Sequence, residues 1–183
     1  MLLLVLAACT EKQPDRLALD PSGPFKLERK GQTEDVRVAA FSGAQPFVKK
    51  VPAVWKSSDT SVATVDDTGK ITCTGSGAAT VTVSAWGLEA SAPVSASVVG
   101  SVEVKDDVPH PIKLSSKGAQ LHVTVKDDKG NVIAKPPTVR YTPSDYCVEA
   151  SDDGFLKPLS DGDCDVTVAV ADKSAKIKLQ VRE

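Results

Sequence analysis

Aromatic residues are scarce in this chain: they make up 4% of its 183 residues, and methionine occurs once. Any core must therefore be assembled from Val, Ala, Leu, Ile and Thr, short and often β-branched side chains that suit thin sheets. No stretch has the 3.6-residue periodicity of a three-turn amphipathic helix, which excludes a helical bundle. No apolar run approaches the ~18–20 residues of a membrane-spanning helix. Lys+Arg 22 against Asp+Glu 24 leaves the chain near neutral, and no segment mixes basic residues with aromatics. Nucleic acid is thereby excluded as a partner. Histidine occurs only as His110, in a Pro-His-Pro linker, and His122, in an alternating segment. With no Cys-x-x-Cys pair either, neither a zinc site nor a His-activated nucleophile has its residues, and no catalytic residue or cofactor is expected.

What is present is a sequence written twice. Pro24-Phe25-Lys26-Leu27 with Lys30-Gly31 returns 87 residues later as Pro111-Ile112-Lys113-Leu114 with Lys117-Gly118. Val54-Trp55, Ser58-Asp59, Val62, Asp66-Asp67, Gly69, Ile71, Gly77 and Val81-Thr82-Val83 return in order. Their echoes are Val139 to Tyr141, Ser144-Asp145, Val148, Asp152-Asp153, Gly154, Leu156, Gly162 and Val166-Thr167-Val168. Offsets held near 85–87 mark two copies of one small domain, placed at residues 24–99 and 100–183.

Within each copy the hydrophobic period is two and the segments are short, so both read as stacks of strands. In the first copy strands are expected near Phe25–Leu27, Asp35–Phe41, Ala53–Lys56, Val62–Val65, Lys70–Thr74, Ala79–Ala85 and Ala90–Val98. The second should hold strands near Val102–Val104, Ile112–Leu114, Gln120–Lys126, Thr138–Tyr141, Val148–Ala150, Phe155–Leu159, Asp165–Val170 and Lys176–Val181. Asp66-Asp67-Thr68-Gly69, Asp152-Asp153-Gly154 and Asp127-Asp128-Lys129-Gly130-Asn131 supply the turn chemistry between them. Seven or so strands spaced about ten residues apart read as an immunoglobulin-like sandwich.

At the N-terminus, Leu2 to Ala8 is apolar and ends in small residues before Cys9. Leu6-Ala7-Ala8-Cys9 resembles the bacterial lipobox. That resemblance implies a signal peptide over residues 1–8, acylation of Cys9, and a membrane contact through lipid; an apolar end of a cytosolic protein is the alternative. Thr10, which is not aspartate, prefers outer-membrane sorting by the same resemblance. Residues 9–23, polar and broken by Pro14 and Pro21, read as a flexible tether.

Trp55-Lys56-Ser57-Ser58-Asp59, Gly69-Lys70-Ile71-Thr72 and Gly75-Ser76-Gly77-Ala78-Ala79-Thr80-Val81 together resemble the bacterial Ig-like domain, group 2, of surface proteins such as intimin and invasin. The second copy is a divergent member, with Tyr141 at the Trp position and Asp163-Cys164-Asp165 in place of small residues. The resemblance implies a non-catalytic adhesion, scaffold or spacer protein of the bacterial cell envelope, its partner a surface protein or glycan.

Five groups of residues are candidates for specific roles. Cys147, set against Ser61 of the first copy, and Cys164, set against Ala79, fall at the start and just past the end of one hairpin; they either form a disulfide or stay reduced and buried. Cys73, in an alternating strand, is expected to be buried and inert. Trp55 is expected in the inter-sheet core. Trp86, at a hairpin tip, either contacts a partner or packs on its own domain's end, and Tyr146 is a second contact candidate. A glycan-binding alternative would use Trp86, Tyr141 or Tyr146 as stacking platforms. Asp161, Asp163 and Asp165 are weak calcium candidates.

Overall fold

A computed structural model describes residues 13–47 and 50–183. Cys9 and the segment read as a signal peptide lie outside these residues. The first unit contains β1 (Arg16–Asp20), β2 (Phe25–Leu27), β3 (Thr33–Asp35), β4 (Arg37–Ser42), β5 (Gln45–Pro46), β6 (Val54–Ser57), β7 (Ala63–Val65), β8 (Lys70–Cys73), β9 (Gly77–Ala85) and β10 (Leu88–Ala96). The second contains β11 (Val99–Lys105), β12 (Ile112–Lys113), β13 (Ala119–Gln120), β14 (His122–Asp127), β15 (Val139–Pro143), β16 (Val148–Ala150), β17 (Phe155–Pro158), β18 (Gly162–Val170) and β19 (Lys173–Arg182). No helix occurs among the described residues.

Both units follow one plan. A four-stranded sheet, β2-β10-β9-β6 or β12-β19-β18-β15, forms one layer, its first pair parallel and the rest antiparallel. The other layer is built on a strand that breaks once, β3 with β4 around Val36 and β13 with β14 around Leu121. One half pairs with β8 or β17, the other with β1 or β11. Both interrupting residues are buried and use the same bond, Val36 N donating to Gly69 O at 3.0 Å and Leu121 N to Gly154 O at 3.0 Å.

Alternation fills the space between the layers. Ala79, Val81, Val83 and Ala85 of β9 point inward with Ala92, Val94 and Ala96 of β10. In the second unit Cys164, Val166, Val168 and Val170 meet Ile177, Leu179 and Val181. Burying each Val or Leu contributes ~1.5–3 kcal/mol. Because these side chains are small, many must be buried to stabilise each unit.

The segment expected to be a tether is corrected in part. Arg16–Asp20 forms β1, antiparallel to β4, with Leu17 and Leu19 buried in the first core. Its counterpart is Val102-Glu103-Val104 of β11, 85 positions on, where two inward apolar residues flank an outward polar one. The flanking prolines suggest a linker, but a strand needs only those two inward side chains to gain its place in the sandwich.

Trp55 also differs from expectation. β6 is the outer strand of its sheet, so the indole is half-buried at the margin of the core. There it lies over Gly69, where an added Cβ would stand 2.9 Å from the ring. Tyr141 covers Gly154 in the same way, at 2.7 Å. The Trp-to-Tyr change between the copies therefore keeps the aromatic lid on the turn glycine.

The Asp-rich turns are what the sequence suggests. Asp66 Oδ1 accepts from Thr68 N at 2.8 Å, Thr68 Oγ1 at 2.6 Å and Lys70 N at 3.0 Å. Asp153 accepts from the Ser151 hydroxyl and from Phe155 N. The Thr68 hydroxyl, and then the Lys70 amide, hold the Asp66 carboxyl below the usual carboxylate range, as Ser151 and Phe155 do for Asp153. Groups lowered by folding stabilise the protein above their unfolded value of ~4 and lose that contribution as pH falls. Urea midpoints of both units should be level from pH 7 to about 5 and drop below about pH 4. Asp66→Asn should flatten that drop for the first unit only, as read by equilibrium unfolding.

Candidate functional site

Functional candidates fall at three places along the chain: the joint between the units and the two outer ends. At the joint, Asp127 shapes a turn by accepting from Lys129 N at 2.9 Å and Asn131 N at 2.8 Å, which aims Asp128 at the first unit. The Asp128 carboxylate accepts from Ser76 N at 3.1 Å, and Asp128 N donates to Val98 O at 3.1 Å. Ser76, 2% exposed, ties the connection from the other side, its Oγ accepting from Val98 N at 2.8 Å. Gly75 allows the close approach, since a Cβ there would meet Asp128 Oδ2 at 3.1 Å; within the second unit, Gly100 lets β11 pass the turn, where a Cβ would meet Asp127 O at 2.4 Å. Charge supports the same contact, since Lys129 lies near enough to lower the Asp59 carboxyl, after the larger effect of the Ser61 hydroxyl. The sequence marks Asp127–Asn131 only as a turn; its partner 52 residues earlier is set by stacking of the units.

At the first unit's outer end, Trp86 and Gly87 form the two-residue turn between β9 and β10, with φ of 52° and 77°. Two left-handed residues match the twist of a hairpin. Trp86 is 39% exposed, and its ring meets Phe47 edge-on at 5.4 Å between centroids. Of the two readings of Trp86, packing on its own unit's end is present in the contact with Phe47, and the side chain stays partly exposed.

The second unit's outer end carries Tyr146, 85% exposed, beside Leu159, 47% exposed. Next to Tyr146 the disulfide Cys147–Cys164 is formed, its Cα atoms 6.2 Å apart. It joins the two layers, since Cys147 precedes β16 and Cys164 belongs to β18. The counterpart of Cys147 is Val62 rather than Ser61. Cys147 O accepts from Leu159 N at 2.8 Å as Val62 O accepts from Thr74 N at 2.9 Å, and both residues are buried. One residue fewer between Ser144 and Cys147 than between Ser58 and Val62 shifts the alignment. The disulfide thus stands where the first unit packs Val62 near Ala79.

The acidic cluster is paired with basic side chains. Asp163 Oδ1 is 2.5 Å from the Arg182 guanidinium and Asp161 Oδ1 is 3.6 Å from it, while Asp165 faces Lys178 across the strand pair. Among the described residues no three His, Cys, Asp or Glu side chains converge as a metal site. His122 Nδ1 is 3.1 Å from Asp107 and His110 Nε2 is 2.5 Å from Asp106, both on the surface with no nucleophile in the pair. Cys73 is 1% exposed, and burial pushes its thiol up, away from the reactive thiolate. Burial raises the Tyr141 phenol likewise, its ring held over Gly154.

Two sheets joined through a broken strand, a parallel β2–β10 pair and a lidded turn glycine define the first unit, and its sequence can be compared with known families. Residues 50–86 match the intimin immunoglobulin-like domain. Those residues run from before β6 to the Trp86 turn and include Trp55, Gly69 and the Gly75–Gly77 joint. Solved structures that align with this chain include domains 1–6 of the surface-layer protein SbsC, at 18% identity and TM-score 0.39 over 92% of this chain and 28% of that one. Domains 4 and 5 of SbsC alone are 19% identical with TM-score 0.40, over 93% of this chain and 100% of that one. Extracellular domains 3–5 of Drosophila OTK are 15% identical with TM-score 0.42, over 92% and 62%. This chain spans little more than a quarter of the SbsC domain 1–6 structure. No curated protein matches the sequence. Both units are immunoglobulin-like β-sandwiches, the intimin-type match lying in the first.

Proposed function

We propose that this chain is a non-catalytic bacterial surface protein, held to a membrane by lipid on Cys9, whose two immunoglobulin-like units form a stiff spacer for adhesion or scaffolding. The intimin-type match supports a cell-surface or envelope location, and the lipobox resemblance with Thr10 supports the outer membrane. Because β1 begins at Arg16, only Thr10 to Asp15 separate Cys9 from the first sandwich. Six residues reach at most ~20 Å. A short tether suits a spacer that holds its outer end away from the anchor, and the first unit's Trp86 end then faces the membrane.

The observation that carries this reading is the joint. Asp128 grips the Ser76 amide through its carboxylate and donates its own N–H to Val98 O, an arrangement that restricts how one unit swings against the other. Asp128→Ala should leave each unit's thermal midpoint nearly unchanged while broadening the distribution of inter-unit orientations seen by small-angle scattering. Gly100→Ala, which drives a Cβ into Asp127 O of the same unit, should instead lower the second unit's midpoint. A distribution that is already broad in the unsubstituted protein would overturn the spacer. Mass spectrometry of membrane-extracted protein should find acyl chains on Cys9, and an intact Met1 with free Cys9 would remove the anchor.

A further inference from the structure

We infer that the Trp86 end of the first unit is a lipid-contact surface, seated in the headgroup zone of the bilayer to which Cys9 is anchored. This deepens the reading of the chain as an anchored spacer and rests on it.

The chain is held almost from its anchor. Pro14 is buried, Asp15 N donates to Phe41 O at 2.9 Å, and the Asp15 carboxylate accepts from Gly43 N at 2.6 Å. Four residues, Thr10 to Gln13, therefore separate Cys9 from a fixed position, a reach of at most ~18 Å. The polar zone of a bilayer is itself ~5–8 Å deep on each side. From Asp15 the contacts run directly to Trp86. Arg16 sets its guanidinium 4.4 Å from the centroid of the Phe41 ring, Phe47 N donates to Ala40 O at 2.8 Å, and the Phe47 ring meets Trp86. The β4–β5 and β9–β10 turns stand clear of the body, since a Cβ on Gly43 or Gly87 would meet nothing within 4 Å.

The second unit shows the same end of the fold against protein. There Ala171 and Asp172 form the two-residue turn between β18 and β19, as Trp86 and Gly87 do between β9 and β10. Asp172 and Lys173 line a cleft of about 550 Å³ at the joint, together with Glu28, Arg29 and Lys30 of the first unit. The turn that meets another unit is charged, and the equivalent turn beside the anchor carries an indole. Half-buried Phe47 and Leu88 flank that indole, and Val54, 67% exposed, pairs with Ser84 on the adjoining strand. The carboxylates here are bonded within the unit, Asp15 to Gly43 N and Glu89 to the Ser84 hydroxyl at 3.1 Å, while exposed Arg16 offers a cation to lipid phosphate. A ring with an apolar body and a polar N–H suits the boundary between acyl chains and water. Tethering supplies the rest: a short link holds this end at millimolar effective concentration, so a contact too weak to recruit a free protein is occupied.

The test uses the full chain purified from membranes, its Cys9 acylation read by mass spectrometry, returned to vesicles of phosphatidylethanolamine and phosphatidylglycerol. Trp55→Tyr, which copies Tyr141 over its turn glycine, leaves Trp86 as the sole tryptophan. Its emission should shift to shorter wavelength on the vesicles, and lipid brominated near the head of the acyl chain should quench it at least twofold. Adding Trp86→Ser and Tyr146→Trp moves the reporter to the outer end of the second unit, where brominated lipid should leave it unquenched. Thermal midpoints of both units report whether each variant has folded. Trp86 emission unchanged by vesicles on an acylated chain would overturn the seat and leave the anchor. Equal quenching at both positions would also overturn it, because the chain would then lie flat on the bilayer. So would a shift that appears with rising concentration in the soluble Cys9→Ser chain, since a second copy would then cover the ring. A chain without acyl groups on Cys9 would overturn the anchor and the seat together.

Discussion

Gly69→Ala should destabilise the first unit selectively, by about 3 kcal/mol or more. Two costs combine. Gly69 has φ of +87°, where a Cβ is strained by ~1–3 kcal/mol, and that Cβ would stand 2.1 Å from Val36 O and 2.9 Å from the Trp55 ring. Neither neighbour yields cheaply. Val36 is the buried residue at which the β3–β4 strand breaks, and its amide donates to Gly69 O. For a unit of this size total stability is ~4–12 kcal/mol, so a loss of 3 kcal/mol lowers the midpoint by ~12–24 °C. Gly87→Ala separates the two costs: its φ is +77°, but an added Cβ meets nothing within 4 Å, so only the strain remains. The distribution of chromophores makes the measurement simple. Both tryptophans, Trp55 and Trp86, lie in the first unit, and both tyrosines, Tyr141 and Tyr146, in the second. Tryptophan fluorescence should show an early transition in Gly69→Ala, while far-ultraviolet dichroism retains the later transition of the second unit. Equal stability of Gly69→Ala and Gly87→Ala would refute the steric part.

Reducing the disulfide should destabilise the second unit by roughly 3 kcal/mol without moving the first, following the chain-entropy estimate for a loop of this length. Cys147 and Cys164 are 17 positions apart and join the two layers at the tip. Their sulfurs also occupy core positions, since both residues are buried. Cys147→Ser with Cys164→Ser should therefore cost more than reduction, because two hydroxyls then sit in apolar surroundings. The pair Cys147→Val with Cys164→Ala, which copies Val62 and Ala79 of the first unit, should recover part of the difference. Differential scanning calorimetry with and without a reductant reads all three. Identical midpoints for the second unit, oxidised and reduced, would mean that the cross-link contributes nothing.

How far the chain could be read in advance depends on whether the cause was local. Strands such as Ala79–Ala85 were plain because alternation lies in consecutive residues, and the Asp66 and Asp153 turns because their hydrogen bonds close within four positions. β1 was hidden by the prolines around it, although its echo at Val102–Val104 was visible at the repeat offset. The disulfide pairing was legible because a hairpin brings its own ends together, yet the alignment of Cys147 was one residue out. A deletion in a loop leaves no mark on the hydrophobic pattern. Tyr146 could be singled out as an aromatic in a loop, but the sequence could not show that it stands exposed beside Leu159.

By itself the sequence determined the class of the fold, its duplication and the positions of its tight turns. Periodicity, glycine and Asx chemistry act over a few residues and are repeated twice, so each copy corroborates the other. The tertiary structure alone decided the rest. It placed Trp55 at the sheet margin over Gly69, paired Asp161 and Asp163 with Arg182, seated Trp86 on Phe47 and joined Asp128 to Ser76. Each of these contacts connects segments distant in the chain or decides between equally spaced neighbours. Their energies depend on how strands stack and units meet, and no local pattern of residue types encodes that.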